Sequence, residues 1–212
     1  MPSRRMVLCF PAAVAGIAAP LLLSAYARSA TDATQAGAFI KAAGQELSTL
    51  ARRGGSEAAR REGVQRFLDR VVDTESVARF CLGRYWRQAT ADQQRAYLGL
   101  FREVLLNIVF NRISEYGQDD VKVVTGRPEQ RDEGIYVPTT VQRAGAEPAR
   151  VTWVVRSDGQ EQRIVDLVVE GASLRLTVRS DYAAFLMRHN NDVGALIEAM
   201  RQQIATPGRG VR

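Results

Sequence analysis

The sequence predicts an α+β fold, with N-terminal helices packed on an antiparallel sheet of four to five strands. Two patterns carry this reading. Up to Tyr116, apolar residues recur at i, i+3, i+4 and i+7, the period of a one-sided helix; from Val121 onward they alternate, the period of a strand. A third observation concerns the middle strands, which are apolar on both faces. Val151, Trp153 and Val155 point one way and Val154 the other; in the next strand Val165, Leu167 and Val169 oppose Ile164, Asp166 and Val168. A sheet with one wet face does not look like this. Either helices cover both sides, or one face lines an enclosed hydrophobic cavity. At 212 residues and 46% hydrophobic, the chain suffices for one domain with one sizeable core.

The first 27 residues stand apart. Arg4 and Arg5 precede Met6–Ala27, a stretch without a charge, and Ala25 and Ala27 form an A-x-A site. This is the pattern of a secretory signal peptide cleaved after Ala27. Ser3-Arg4-Arg5-Met6-Val7-Leu8 approximates a twin-arginine signal, with Val7 where phenylalanine is usual, so Tat and Sec export are both open. Pro11, Gly16 and Pro20 weigh against a retained membrane helix. The expected layout is a signal peptide at 1–27, a single domain at 28–205 and a flexible tail at 206–212. The formal charge is +6; without Arg4 and Arg5 it is +4, from 27 basic and 23 acidic residues. Arg52-Arg53 and Arg60-Arg61 are short pairs without interleaved aromatics, so nucleic acid is not an expected partner.

The elements follow in order. Arg28–Gln35 is polar and small and reads as a flexible start. Helix one then carries Phe39, Ala43, Leu47 and Leu50 on one face and ends at Gly54-Gly55. Ser56 caps helix two, with Val64, Phe67, Leu68, Val71 and Val72 apolar. Asp73 or Thr74 caps a short third helix, which Gly83 breaks. Tyr85-Trp86 lead into a long helix capped by Thr90, with Gln93 placed to reach back to the cap. Its stripe runs through Tyr97, Leu98, Phe101, Val104, Leu105, Ile108, Val109 and Ile113 until Gly117. Strands are expected at 121–125, 135–142, 151–156, 162–170 and 172–179. Pro138 argues for an edge or a bulge, and Ser157-Asp158-Gly159 for a turn. Asp181 opens a helix to Met187, and Asp192 opens a last one to Ile204.

Little of this points to covalent chemistry. Once the signal is cleaved Cys81 is alone, so no intramolecular disulfide forms, and its place on an apolar face reads as a small buried hydrophobe. His189 is the sole histidine, in a polar RHNND turn, which excludes a multi-histidine metal site. Neither a metal nor a cofactor is expected. Asp166 stands mid-strand among apolar residues. It reads as a structural carboxylate; the sharper alternative is a general base with Tyr136 as acid partner.

Two blocks carry a family resemblance. The first is Asp73, Ala78, Leu82-Gly83, Tyr85-Trp86-Arg87, Gln94, Phe101 and Leu105. The second is Val165-Asp166, Val168, Glu170-Gly171 and Ser173-Leu174, followed by Arg179-Ser180 and Phe185. With these the chain resembles the MlaC-type family, also called the toluene-tolerance family, of periplasmic phospholipid-binding proteins. The resemblance implies a cup related to nuclear transport factor 2, with a curved sheet around a lipid cavity. It implies a non-enzymatic periplasmic carrier, monomeric, that exchanges phospholipid with an inner-membrane ABC transporter complex and an outer-membrane lipoprotein complex. Phe110 departs from the tyrosine frequent in the family, and Arg163-Ile164 from its tryptophan-lysine. One branch is associated with hopanoid-producing bacteria, so a polycyclic lipid is the alternative ligand. A small-molecule enzyme using Asp166 is the more distant one. On the carrier reading, the cavity wall is expected at Trp86, Phe101, Leu105, Val109, Trp153, Val155, Leu167 and Val169.

Overall fold

The computed structural model describes residues 19–52, 54–116, 121–143, 145, 147–158 and 161–206, with backbone alone at 19–30, 115, 116, 121, 143 and 158. Four helices come first: α1 (Ala19–Arg52), α2 (Glu57–Val71), α3 (Thr74–Leu82) and, after a 3-10 turn at Gly83–Arg87, α4 (Ala91–Tyr116). The strands are β1 (Val121–Thr125), β2 (Glu129–Arg131), β3 (Gly134–Arg143), β4 (Ala149–Asp158), β5 (Glu161–Val169) and β6 (Ala172–Ser173). Helices α5 (Leu174–Arg188) and α6 (Val193–Ala205) close the chain. The sheet is antiparallel in the order β1-β3-β4-β5-β6, with β2 also paired to β3. The fold is therefore α+β with an open, curved sheet.

Local chemistry explains the helix starts. Ser56 Oγ accepts from the Ala59 N–H at 3.2 Å, and Asp73 Oδ1 from the Ser76 N–H at 3.0 Å. Thr90 and Gln93 form a reciprocal capping box: Thr90 Oγ1 accepts from the Gln93 N–H at 3.2 Å, and Gln93 Oε1 from the Thr90 N–H at 3.0 Å. The expected edge or bulge at Pro138 has a simple origin. The β3 flank pairs with β2 through Tyr136 and with β1 from Thr139 onward. Pro138, which has no N–H to offer, sits at the change of neighbour, and its carbonyl accepts from Gly126 at 2.7 Å. Gly134 has φ +147, and a Cβ there would stand 2.5 Å from the Val155 carbonyl oxygen, so β3 and β4 can close only on glycine.

Several expectations need correction. Residues 28–35 belong to α1, and Ala36 just beyond them is fully buried, so the polar start continues as helix. Residues 172–179 form two residues of strand and then α5. Ser173 Oγ accepts from the Leu176 N–H at 3.2 Å, and this cap starts the helix in spite of the alternating L-R-L-T-V pattern. Among the described residues the sheet has six strands, one more than expected, because β2, of three residues, is too short for periodicity to register. Gly117, Gly159 and the tail past Thr206 lie outside the described residues.

The interior divides in two. A helical core joins α3, the first half of α4, α5 and α6 around Tyr97, Leu186, Leu196 and Met200, all fully buried. The Tyr97 hydroxyl donates to the Ala78 carbonyl at 2.8 Å, which satisfies its one polar atom. A second core joins α1, α2 and the second half of α4 to the sheet. The two meet near Asp73, whose N–H donates to the Ile164 carbonyl at 3.0 Å. No helix among the described residues is long and apolar enough to cross a membrane.

Candidate functional site

Cross-strand partners share a face, so the register states which side chains line the sheet's inner surface. Ile135, Val155 and Ile164 form one row; Val137, Trp153 and Leu167 the next; Thr139, Val151 and Val169 a third. Val141 and its partner Val123 continue the face onto β1. A β-bulge makes the first row. Val154 pairs with Asp166 but Val155 with Ile164, so Val165 has no partner and Ile164 turns to the inner side. Simple alternation had placed Ile164 with Asp166.

Burial changes along this face. At one end Ile135, Val137, Val155 and Ile164 are 7% exposed or less, sealed by Ala36, Ile40, Val71, Leu106 and Phe110. Toward the other end Val141, Val151, Leu167 and Val169 are only half-buried, and Val123 is 48% exposed. Leu105, Val109 and Ile113 of α4, with Phe39 of α1, pack against the sealed core and are themselves half-buried. The open half of the sheet face and these helix edges are apolar and only partly covered, and together they are the candidate cleft.

Trp153 stands where the sealed end meets the cleft. Its ring packs against the core, and its indole Nε1 donates to Thr139 Oγ1 at 3.0 Å. Thr139, 3% exposed, passes its own proton to the Val151 carbonyl at 2.9 Å. The polar atoms of this corner are thus satisfied within the sheet, and an apolar surface is what remains.

Of the eight wall candidates, Leu105, Val109, Trp153, Leu167 and Val169 are half-buried at this partly covered surface. Val155 lies in the sealed core. Trp86 and Phe101 belong to the helical core, where both rings pack on Tyr97 with centroids 6.5 and 5.9 Å away. Periodicity finds the apolar stripe of α4 but not its partner, and the partner changes midway along the helix. Val123, Val141, Val151 and Ile113 lie on the same partly covered surface and were not among the candidates. Strand register would have found the first three.

Asp166 lies on the opposite face, 7% exposed. Its Oδ2 accepts from the Ser173 hydroxyl at 2.6 Å, and its Oδ1 from the N–H groups of Leu167 at 2.8 Å and Arg175 at 3.1 Å. Arg175 Nε stands 3.3 Å from Oδ2, close enough for an ion pair but not aligned as a hydrogen bond. The same guanidinium pairs with Glu133 and lies 4.4 Å from the Phe80 ring centre. The network fastens the start of α5 to β5 and the β2–β3 turn. Burial, with the nearby Asp166 charge, pushes the Cys81 thiol up to about 12, and burial with Glu133 raises Tyr136. His189 is exposed at the end of α5, stacked on Phe185 with centroids 4.0 Å apart.

A family model described as MlaC protein matches residues 41–202, which include the whole sheet and, apart from Ala36 and Ile40, the buried residues of both cores. The chain belongs to the MlaC family. The toluene tolerance protein ttg2D of Pseudomonas putida is 22% identical to it over 147 residues, 68% of this chain and 67% of the relative. Among solved structures, a phospholipid-binding protein from Ralstonia solanacearum, determined in complex with a phospholipid, superposes with a TM-score of 0.67. It is 21% identical, and the match covers 79% of this chain and 96% of that one. This MlaC-family chain thus has the neighbour's α+β fold, and Asp73, Tyr85 and Trp86 form a corner within it. There Tyr85 Oη donates to Asn191 at 3.0 Å and the Trp86 carbonyl accepts from Gln94 at 2.8 Å.

Proposed function

We propose that this protein is a periplasmic lipid carrier that holds phospholipid acyl chains in the cleft between α4, α1 and the inner sheet face. The observation that supports this reading most is the half-open apolar face from Trp153 to Val123, a surface that water alone would not favour. Family membership and the phospholipid carried by the Ralstonia neighbour agree with it. In this reading the headgroup stays at the cleft mouth. The carrier works as a monomer between an inner-membrane ABC transporter complex and an outer-membrane lipoprotein complex.

The physics fits a carrier. Two acyl chains of about 15 methylenes each lose about 24 kcal/mol on exposure to water. An apolar cleft removes most of that barrier, yet it differs little from a bilayer in free energy. The carrier therefore sets no direction, and its membrane partners do. Asp166 supports a non-enzymatic reading, because its oxygens are engaged by Ser173, Leu167 and Arg175.

The test is mass spectrometry of an organic extract of the protein purified without detergent. Co-purified phospholipid is the expected result. A polycyclic lipid in its place would move the ligand to the hopanoid class, and a lipid-free preparation would overturn the carrier.

A further inference from the structure

We infer that Trp153 is the floor of the cleft and sets the length of acyl chain that it admits. The inference rests on the carrier reading and adds a determinant of specificity to it. On one side of the indole, the row of Ile135, Val155 and Ile164 is sealed at 7% exposure or less, with Leu106 and Phe110 packed against it, so no chain can pass further. On the other side the Thr139 row opens: Val151 and Val169 are half-buried, as is Leu167 beside the ring. A chain that lies along the face from Val123 inward therefore ends against Trp153.

The ring is also fixed. A tryptophan that merely capped a core could change rotamer to admit a longer ligand. Here the Nε1–H is spent on Thr139 Oγ1 at 3.0 Å, and Thr139, 3% exposed, cannot follow a moving ring. Thr139 acts through Trp153 as a positioning residue. Rotation would strand a buried donor and acceptor together, which favours one depth over a range of depths.

The experiment loads delipidated protein with a mixture of phosphatidylglycerols of graded chain length and reads the retained distribution by mass spectrometry. Wild type should retain lipid with a sharp upper limit. Trp153→Leu should move that limit up by about two methylenes, the room released by the smaller side chain at core packing density. Trp153→Phe, which keeps a ring in the core and loses the Thr139 bond, should blur the limit and carries the test if the leucine variant does not fold. Retention by wild type with the same limit in a folded variant would overturn the floor and leave the carrier standing. No retention by wild type would overturn both.

Discussion

The indole Nε1 of Trp153 donates to Thr139 Oγ1 at 3.0 Å, and the Thr139 hydroxyl donates onward to the Val151 carbonyl at 2.9 Å. This short relay joins β3 to β4 at the row where the inner face passes from sealed core to open cleft. It lets a large amphipathic ring serve as pure apolar surface, because its one polar atom is satisfied inside the sheet.

Thr139→Val keeps the shape and removes the acceptor. The stranded indole N–H should cost about 1–3 kcal/mol. For a domain of this size that is a fall in Tm of about 2–4 °C per kcal/mol, measured by calorimetry. Thr139→Ser, which retains the hydroxyl, should recover most of the loss.

Asp166→Asn separates structure from chemistry. Removing one charge leaves Arg175, 7% exposed, with Glu133 as its remaining carboxylate. Because Glu133 still compensates the guanidinium, the loss should fall below the about 3–5 kcal/mol of a fully uncompensated buried charge. The urea midpoint should fall accordingly, while the protein that remains folded keeps its bound lipid. Loss of lipid at unchanged stability would give the carboxylate a role in the ligand site.

Alkali should destabilise the fold. The Cys81 thiol is raised from 9.0 to about 12 in the folded chain, and burial raises Tyr97 and Tyr182 as well. For each the unfolded chain loses its proton first. The stability is complete below the unfolded value and is lost as pH rises through the folded one. Urea titrations should show little change from these groups below about pH 9 and a steady decline from there to about 12. Cys81→Ala should flatten part of that decline, and the native thiol should resist alkylation until urea unfolds the chain.

Much of this architecture was legible in the sequence. The capping box at Thr90 and Gln93, the caps at Ser56 and Asp73, and the switch from period 3.6 to period 2 are local signals, and local signals survive folding. Long-range facts were not legible. The bulge that turns Ile164 inward depends on pairing with β4, and the division of the α4 stripe between two cores depends on which helices arrive on each side. Residues 172–179 alternate like a strand, yet the Ser173 cap makes most of them helix. Trp153, Leu167 and Val169 share the inner face because β4 and β5 alternate as expected beyond the bulge. Trp86 and Phe101 were misplaced because an apolar stripe does not name its partner.

The most direct test of the central claim is the molar ratio of phospholipid to protein in detergent-free preparations of wild type and of Leu167→Glu. Leu167 is half-buried on the open half of the face, so a glutamate there can reach solvent and leave the fold intact. Burying that carboxylate against an acyl chain costs more than about 1.4 kcal/mol, which predicts at least about tenfold less lipid in the variant, at a Tm within a few degrees of wild type. Equal lipid in both proteins, or none in wild type, would contradict the account.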